Sequence, residues 1–250
     1  MNRILFFALC FSFNLLSAQI FTELPQNPLI YSFFSSFSTG EMADLDNDGD
    51  LDLFLSGIGS SGFLTTIYTN DGGGNFSEIG NSPFLGMSQG SADFADVDND
   101  GDLDILVIGQ RGLLERFAIL YLNDGDQNYT EVSGTPFEGV VSGTVDFSDV
   151  DSDGDQDVLI TGTRIPDSGG IMSKLYLNDG TGNFIELMTA PFQAVRSGSV
   201  EFVDIDNDSD EDLFISGEEL DFTERSRLYL NDGQGVFTEK DNLAIDGVRA

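Results

Sequence analysis

Twenty aspartates in four matched clusters are the residues of this chain whose type and spacing could do chemistry. Asp44, Asp46, Asp48, Asp50 and Asp52 alternate through DLDNDGDLD, and Asp96, Asp98, Asp100, Asp102 and Asp104 alternate through DVDNDGDLD. The pattern returns with Asp149, Asp151, Asp153, Asp155 and Asp157 in DVDSDGDQD, and with Asp204, Asp206, Asp208, Asp210 and Asp212 in DIDNDSDED. Carboxylates this crowded repel one another unless a cation sits among them. Each stretch therefore reads as a nine-residue calcium loop. Positions 1, 3, 5 and 9 offer carboxylate oxygens, and the carbonyl of position 7 turns inward once Gly at position 6 bends the chain.

An all-oxygen donor set favours a hard cation, and a flexible acidic loop fits the wide, irregular shell of Ca²⁺ better than the octahedron of Mg²⁺. Up to four Ca²⁺ are expected. A helix-loop-helix calcium site is the first rival, and it needs a bidentate Glu at position 12 with helices on both sides. Position 12 here is Leu55, Val107, Ile160 and Ile215, each inside an apolar run rich in strand formers. The blander reading is four solvated acidic turns, since Asp and Gly are ordinary turn residues. Four matched copies exceed what turn chemistry asks for.

The loops are positioned by a longer repeat, with starts 52, 53 and 55 residues apart. A second signature follows each loop: YTNDGGGNF from Tyr68, YLNDGDQNY from Tyr121, YLNDGTGNF from Tyr176 and YLNDGQGVF from Tyr229. A third is SPF at 82–84, TPF at 135–137 and APF at 190–192. Periods this long with strand-like texture call for a propeller, solenoid or array. In the second copy, strands are expected over 90–97, 103–109, 117–123 and 128–132, the last two joined by an Asn-Asp-Gly turn whose residues supply positive φ. Four short antiparallel strands in such a unit make one propeller blade.

Leu103, Ile105 and Val107 share one strand face while Leu106 and Ile108 take the other, so the sheet is expected to pack between neighbours. No window of helical length shows a period of 3.6, and helices should be few. The expected fold is all-β: a propeller of four-stranded antiparallel blades over 29–250, with an incomplete or open four-blade arc preferred. A closed four-bladed ring, with Leu29–Met42 pairing near Leu228–Glu239, is the alternative.

Strand directions put the acid loop and the Asn-Asp-Gly turn at one edge of each blade. The other edge carries loops that differ from copy to copy: GIGSSGFLTT at 57–66, GQRGLLERFA at 109–118, GTRIPDSGGIMS at 162–173 and GEELDFTERS at 217–226. Arg111, Arg116, Arg164, Lys174, Arg196, Arg225 and Arg227, seven of the ten Lys and Arg, lie in or beside that edge. A tolerant solvated rim and a binding face are both open readings of it. Glu218, Glu219, Asp221 and Glu224 form an acidic cluster there and read as solvated surface.

The double signature, DxDxDGDxD followed by LYLNDGxGxF, resembles the FG-GAP or VCBS repeats of bacterial secreted proteins and, more distantly, the integrin alpha-subunit propeller. The resemblance spans roughly 29–250. It implies a propeller whose acid loops bind calcium through the aspartates named above, and a family in which seven blades are common where this chain has four complete signatures. Ser209 in place of the turn Gly and Glu211 inside the fourth loop depart from the pattern.

At the N-terminus, a basic start with Arg3, an apolar run from Ile4 to Leu16 and the triplet SAQ have the form of a secretory signal peptide over 1–18, followed by a lead-in over 19–28. Cys10, the only cysteine, lies inside that run and is a weak lipoprotein candidate. The apolar run is too short for a confident membrane span. The formal net charge is −34, and four bound Ca²⁺ would bring it to −26, which repels nucleic-acid phosphates and anionic membranes.

With no His, and with Cys10 in the signal segment, Ser-His-Asp, Cys-His and imidazole-zinc chemistry have no residues to use. The expected function is a calcium-binding extracellular module that binds protein or glycan through its variable loops, with further blades or self-association as the other partner reading. A purely structural repeat region of a larger secreted protein is the alternative, and a polysaccharide-active enzyme is a minor one.

Overall fold

The computed structural model describes residues 36–59, 62–80, 82–164 and 170–241. They form sixteen strands and no helix. Blade 1 holds β1 (Ser36–Ala43), β2 (Asp52–Gly59), β3 (Gly62–Asn70) and β4 (Phe76–Glu78). Blade 2 holds β5 (Ala92–Ala95), β6 (Asp104–Arg111), β7 (Glu115–Asn123) and β8 (Tyr129–Glu131). Blade 3 holds β9 (Val145–Ser148), β10 (Asp157–Thr163), β11 (Ile171–Asn178) and β12 (Phe184–Glu186). Blade 4 holds β13 (Arg196–Val203), β14 (Asp212–Glu218), β15 (Glu224–Leu230) and β16 (Thr238–Glu239).

Each blade is a four-stranded antiparallel sheet in sequence order, and the first strands of successive blades touch one another, which sets them nearest the common axis. Among the described residues, β1 pairs only with β2 and β16 only with β15, so the four blades form an open arc. The expected strand lead-in from Leu29 falls partly outside the described residues, and β1 begins at Ser36.

Alternation along the second strands fills the gaps between blades. Ile105 and Val107 join Phe54 and Ile67 in the core between blades 1 and 2. Leu106 and Ile108 join Val145 and Val158 between blades 2 and 3. Leu159 enters the third core with Leu213 and Ile215. A sheet buried on both faces is apolar on both, as the sequence reading of Leu103–Ile108 expects.

The Pro-Phe signature caps these cores from the linkers. Phe84, Phe137 and Phe192 meet Tyr121, Tyr176 and Tyr229 edge to face at 5.0, 5.1 and 5.1 Å. The phenol oxygens of Tyr121 and Tyr229 accept the amides of Leu85 and Gln193, one residue past the Phe, at 3.2 and 3.1 Å.

Candidate metal centres

Position 9 of every acid loop is also the first residue of the second strand, and burial there forces it to find hydrogen bonds. One oxygen of Asp52, Asp104, Asp157 and Asp212 accepts the amide of loop position 2, at Leu45, Val97, Val150 and Ile205, over 2.9–3.1 Å. The other accepts the amide of Asn70, Asn123, Asn178 or Asn231, at the start of the Asn-Asp-Gly turn, over 2.8–2.9 Å. This one carboxylate ties the acid loop to the hairpin turn, so both lie at the same blade edge. Burial pushes the Asp104 and Asp157 carboxyls up to about 7 and raises Asp52 as well.

Position 1 wraps the loop: Asp96 accepts the amides of Asp100 and Gly101, both at 3.0 Å, and the other three copies repeat the pair. Carboxylates then converge as Asp44, Asp46 and Asp48; Asp96, Asp98 and Asp104; Asp149, Asp151 and Asp157; and Asp204, Asp206 and Asp212. One oxygen from each member lies within 4.8 Å of the others in its group.

At position 3, Oδ1 of Asp46, Asp98 and Asp151 is buried and meets no donor among the described residues. Burial, then the neighbouring aspartates, raises the Asp98 and Asp151 carboxyls. An inward carboxylate oxygen with no donor is costly, and a cation in the cluster would remove the cost. All four clusters could therefore each coordinate a Ca²⁺ ion.

The position-7 carboxylates of Asp50, Asp102, Asp155 and Asp210 turn away from these clusters. They pack under the hairpin glycine: a Cβ on Gly125, where φ is +77°, would fall 2.7 Å from the Asp102 carboxylate. Gly72, Gly180 and Gly233 stand in the same relation to the other three.

Two repeated features have roles that sequence reasoning missed. The turn asparagines do more than turn, because Nδ2 of Asn123, Asn178 and Asn231 donates to the carbonyl of Leu45, Val97 and Val150 in the preceding blade at 3.0, 2.8 and 2.7 Å. Three residues before each loop stands an acid on the first strand, Glu41, Asp93, Asp146 or Glu201. Asp93 accepts the Phe147 amide and Asp146 the Phe202 amide, each at 2.9 Å across a blade junction. Their fixed offset from the loops was the available signal.

The opposite rim satisfies its acids with built-in cations. Glu218 pairs with Arg196, and Glu219 with Arg225 and Arg227; Glu138 takes Arg164 and Lys174. Glu218 and Glu219 are buried, which corrects the solvated-surface reading for these two, their partners sitting on β13 and β15 beyond any local sequence pattern, whereas Asp221 and Glu224 are exposed as that reading expects. Between blades 3 and 4, a hollow of about 350 Å³ is lined by Ile171, Gln193, Ala194, Glu219, Leu220 and Asp221. Beside it Phe222, at φ +63°, lies with the Arg196 guanidinium 5.3 Å from its ring centre.

No curated protein is a significant sequence match. Among solved structures, one described as the structural basis of specific recognition of non-reducing terminal N-acetylglucosamine by an Agrocybe aegerita lectin is similar in fold, at 20% identity and a TM-score of 0.54. The match covers 84% of this chain and 53% of that one, so the chain spans about half the length of that protein. The model of the FG-GAP-like repeat matches residues 42–107 and 149–215, more than half of the chain and all four acid loops. Each matched segment takes in two of the acid loops, and the chain belongs to the FG-GAP-like repeat family.

Proposed function

We propose that the chain is a secreted, calcium-stabilised binding module, with the acid rim holding Ca²⁺ and the variable rim contacting a protein or glycan. In this reading the carboxylates at positions 1, 3, 5 and 9 hold the ion with the position-7 carbonyl, and bound calcium offsets the repulsion among the loop acids. The segment over 1–18 is the export signal.

The observation that carries the binding role is the hollow between blades 3 and 4. Leu220 and Phe222 beside it stand 74% and 75% exposed on one tight loop, and Phe222 holds a left-handed φ that a bulky residue resists. Leu220 and Phe222 stand two residues apart beside one hollow, and a contiguous apolar patch of this kind is where a partner would gain from contact. The lectin of similar fold, which recognises non-reducing terminal N-acetylglucosamine, adds a precedent for glycan recognition by a protein of this fold.

Arrays of glycans and of surface proteins, probed with calcium-loaded protein, test the reading. Binding that Leu220→Ser and Phe222→Ser weaken at unchanged melting temperature supports it. Binding untouched by both moves the site elsewhere. No binding to any probe favours the structural-spacer alternative, which draws its support from five of the seven rim cations, Arg164, Lys174, Arg196, Arg225 and Arg227, being spent on ion pairs within the chain.

A further inference from the structure

We propose that the four acid loops form two classes: loops 1 to 3 are joined into one array that fills with Ca²⁺ cooperatively, and loop 4 fills separately and more weakly. The inference rests on the calcium reading above. It comes from position 4, which lies between the metal-facing positions 3 and 5. There Asn47, Asn99, Ser152 and Asn207 all take left-handed φ of 58–64°, so the four backbones agree and only the side chains differ.

Asn47 Nδ2 donates to Asp102 Oδ1 of loop 2 at 2.6 Å, and Asn99 Nδ2 donates to Asp155 Oδ1 of loop 3 at 2.8 Å. The recipient is position 7 of the next loop, whose backbone carbonyl is the expected ligand there. Ordering one loop therefore orders a ligand residue of the next, and the coupling is reciprocal. Ser152 breaks the series. Its hydroxyl is too short for the reach, and among the described residues nothing donates to the Asp210 carboxylate.

Among the described residues loop 4 also lacks support from the other side. Blade 2 reaches back to loop 1 through Asn123 on the Leu45 carbonyl and Gln127 Nε2 on Asp46 Oδ2 at 2.8 Å. Blade 3 covers loop 2 through Asn178 and the Gly182 amide on the Val97 carbonyl, and blade 4 covers loop 3 through Asn231 and the Gly235 amide on the Val150 carbonyl. Leu45, Val97 and Val150 are consequently 0–1% exposed, whereas Ile205, the same position of loop 4, is 48% exposed. Among the described residues no blade lies beyond it. Ser209 adds strain, holding φ +80° where the other loops have glycine. A less preorganised site binds more weakly.

Calorimetric titration of the protein with Ca²⁺ alone reads this directly. The expected isotherm has a cooperative step of three ions and a separate, weaker step of one, with a coupling of the usual inter-site size, about 5- to 150-fold. Asp208→Ala should remove only the weak step. Ser152→Asn should tighten the fourth site toward the others, and Asn99→Ser should split the cooperative step. Four equal, independent sites in the wild type, or Ser152→Asn and Asn99→Ser both leaving the isotherm unchanged, would overturn the two classes while leaving the calcium reading intact. Absence of any binding heat, with a melting curve that Ca²⁺ does not move, would overturn both.

Discussion

The two rims of the arc solve one electrostatic problem in different ways. On the acid rim, carboxylates crowd within 4.8 Å, and among the described residues no Lys or Arg pairs with them and some of their buried oxygens face no donor. On the variable rim, buried carboxylates such as Glu218 and Glu219 have arginines of the same chain against them. The first arrangement depends on an ion from solution. The second carries its counter-charge in the sequence. A third group separates the two, because Asp93 and Asp146 on the inner strands have neither cation nor arginine, and burial raises both carboxyls, Asp146 to about 7.

The largest effect expected is chelation. A site held at a hundredfold over its Kd contributes about 2.7 kcal/mol, and for a chain of this size each kcal/mol moves Tm by about 2–4 °C. EDTA at neutral pH should therefore lower Tm by roughly 5–11 °C for each site it empties, and excess Ca²⁺ should restore it. Calorimetric melting with and without chelator checks this, and superimposable curves would erase the distinction between the rims. Titrations should span about 10⁻⁴ to 10⁻³ M calcium, the range of extracellular modules.

The next effect separates backbone strain from crowding within the acid rim. Gly101 and Gly125 both hold positive φ, +98° and +77°, but a Cβ on Gly101 meets nothing within 4 Å whereas one on Gly125 strikes the Asp102 carboxylate. Gly101→Val should cost about 1–3 kcal/mol from strain alone, and Gly125→Val should cost more. Urea unfolding in saturating calcium gives both values, and equal losses would remove the steric role assigned to Asp102.

On the variable rim, Glu219→Gln removes one of the two carboxylates against each of Arg225 and Arg227, which keep Asp221 and Glu239, and should destabilise by about 1–3 kcal/mol with calcium binding unchanged. A loss of calcium affinity in that variant would show that the rims are not independent.

Asp146 provides a pH signature that belongs to neither rim. Its folded carboxyl holds a proton more tightly than the unfolded chain, so its contribution to stability is full below about pH 4 and is lost as pH rises toward 7. Asp146→Asn keeps an acceptor for the Phe202 amide. It should stabilise by about 1–3 kcal/mol above pH 7 and make no difference below pH 4. Identical pH profiles for variant and wild type would contradict the assignment. The smallest effect is ionic strength: with calcium bound, raising NaCl to about 1 M should shift Tm by no more than about 2 °C, because the exposed pairs contribute little.

The acid loops, the strands of each blade and the two apolar faces of β6 were legible because each is a local pattern: alternation, a turn signature, a fixed spacing. The asparagine bonds between blades were hidden behind a sufficient explanation, since Asn-Asp-Gly already makes a good hairpin turn. The burial of Glu218 and Glu219 was illegible for another reason. It depends on arginines that reach them only after β13, β14 and β15 pair. Openness of the arc was the preferred expectation and is what the unpaired outer edges of β1 and β16 show among the described residues, but it rested on the count of four signatures and not on the pattern of any one blade.

The asparagine that binds the preceding blade has a genealogical consequence. Each unit carries, in its own stretch of chain, the donor it needs for the unit before it and the carbonyl wanted by the unit after it. A duplication or deletion of one whole unit therefore preserves every junction, while a break inside a unit orphans two. Relatives of this chain should differ in length by whole blades, with their breakpoints falling in the linkers that hold the Pro-Phe signature.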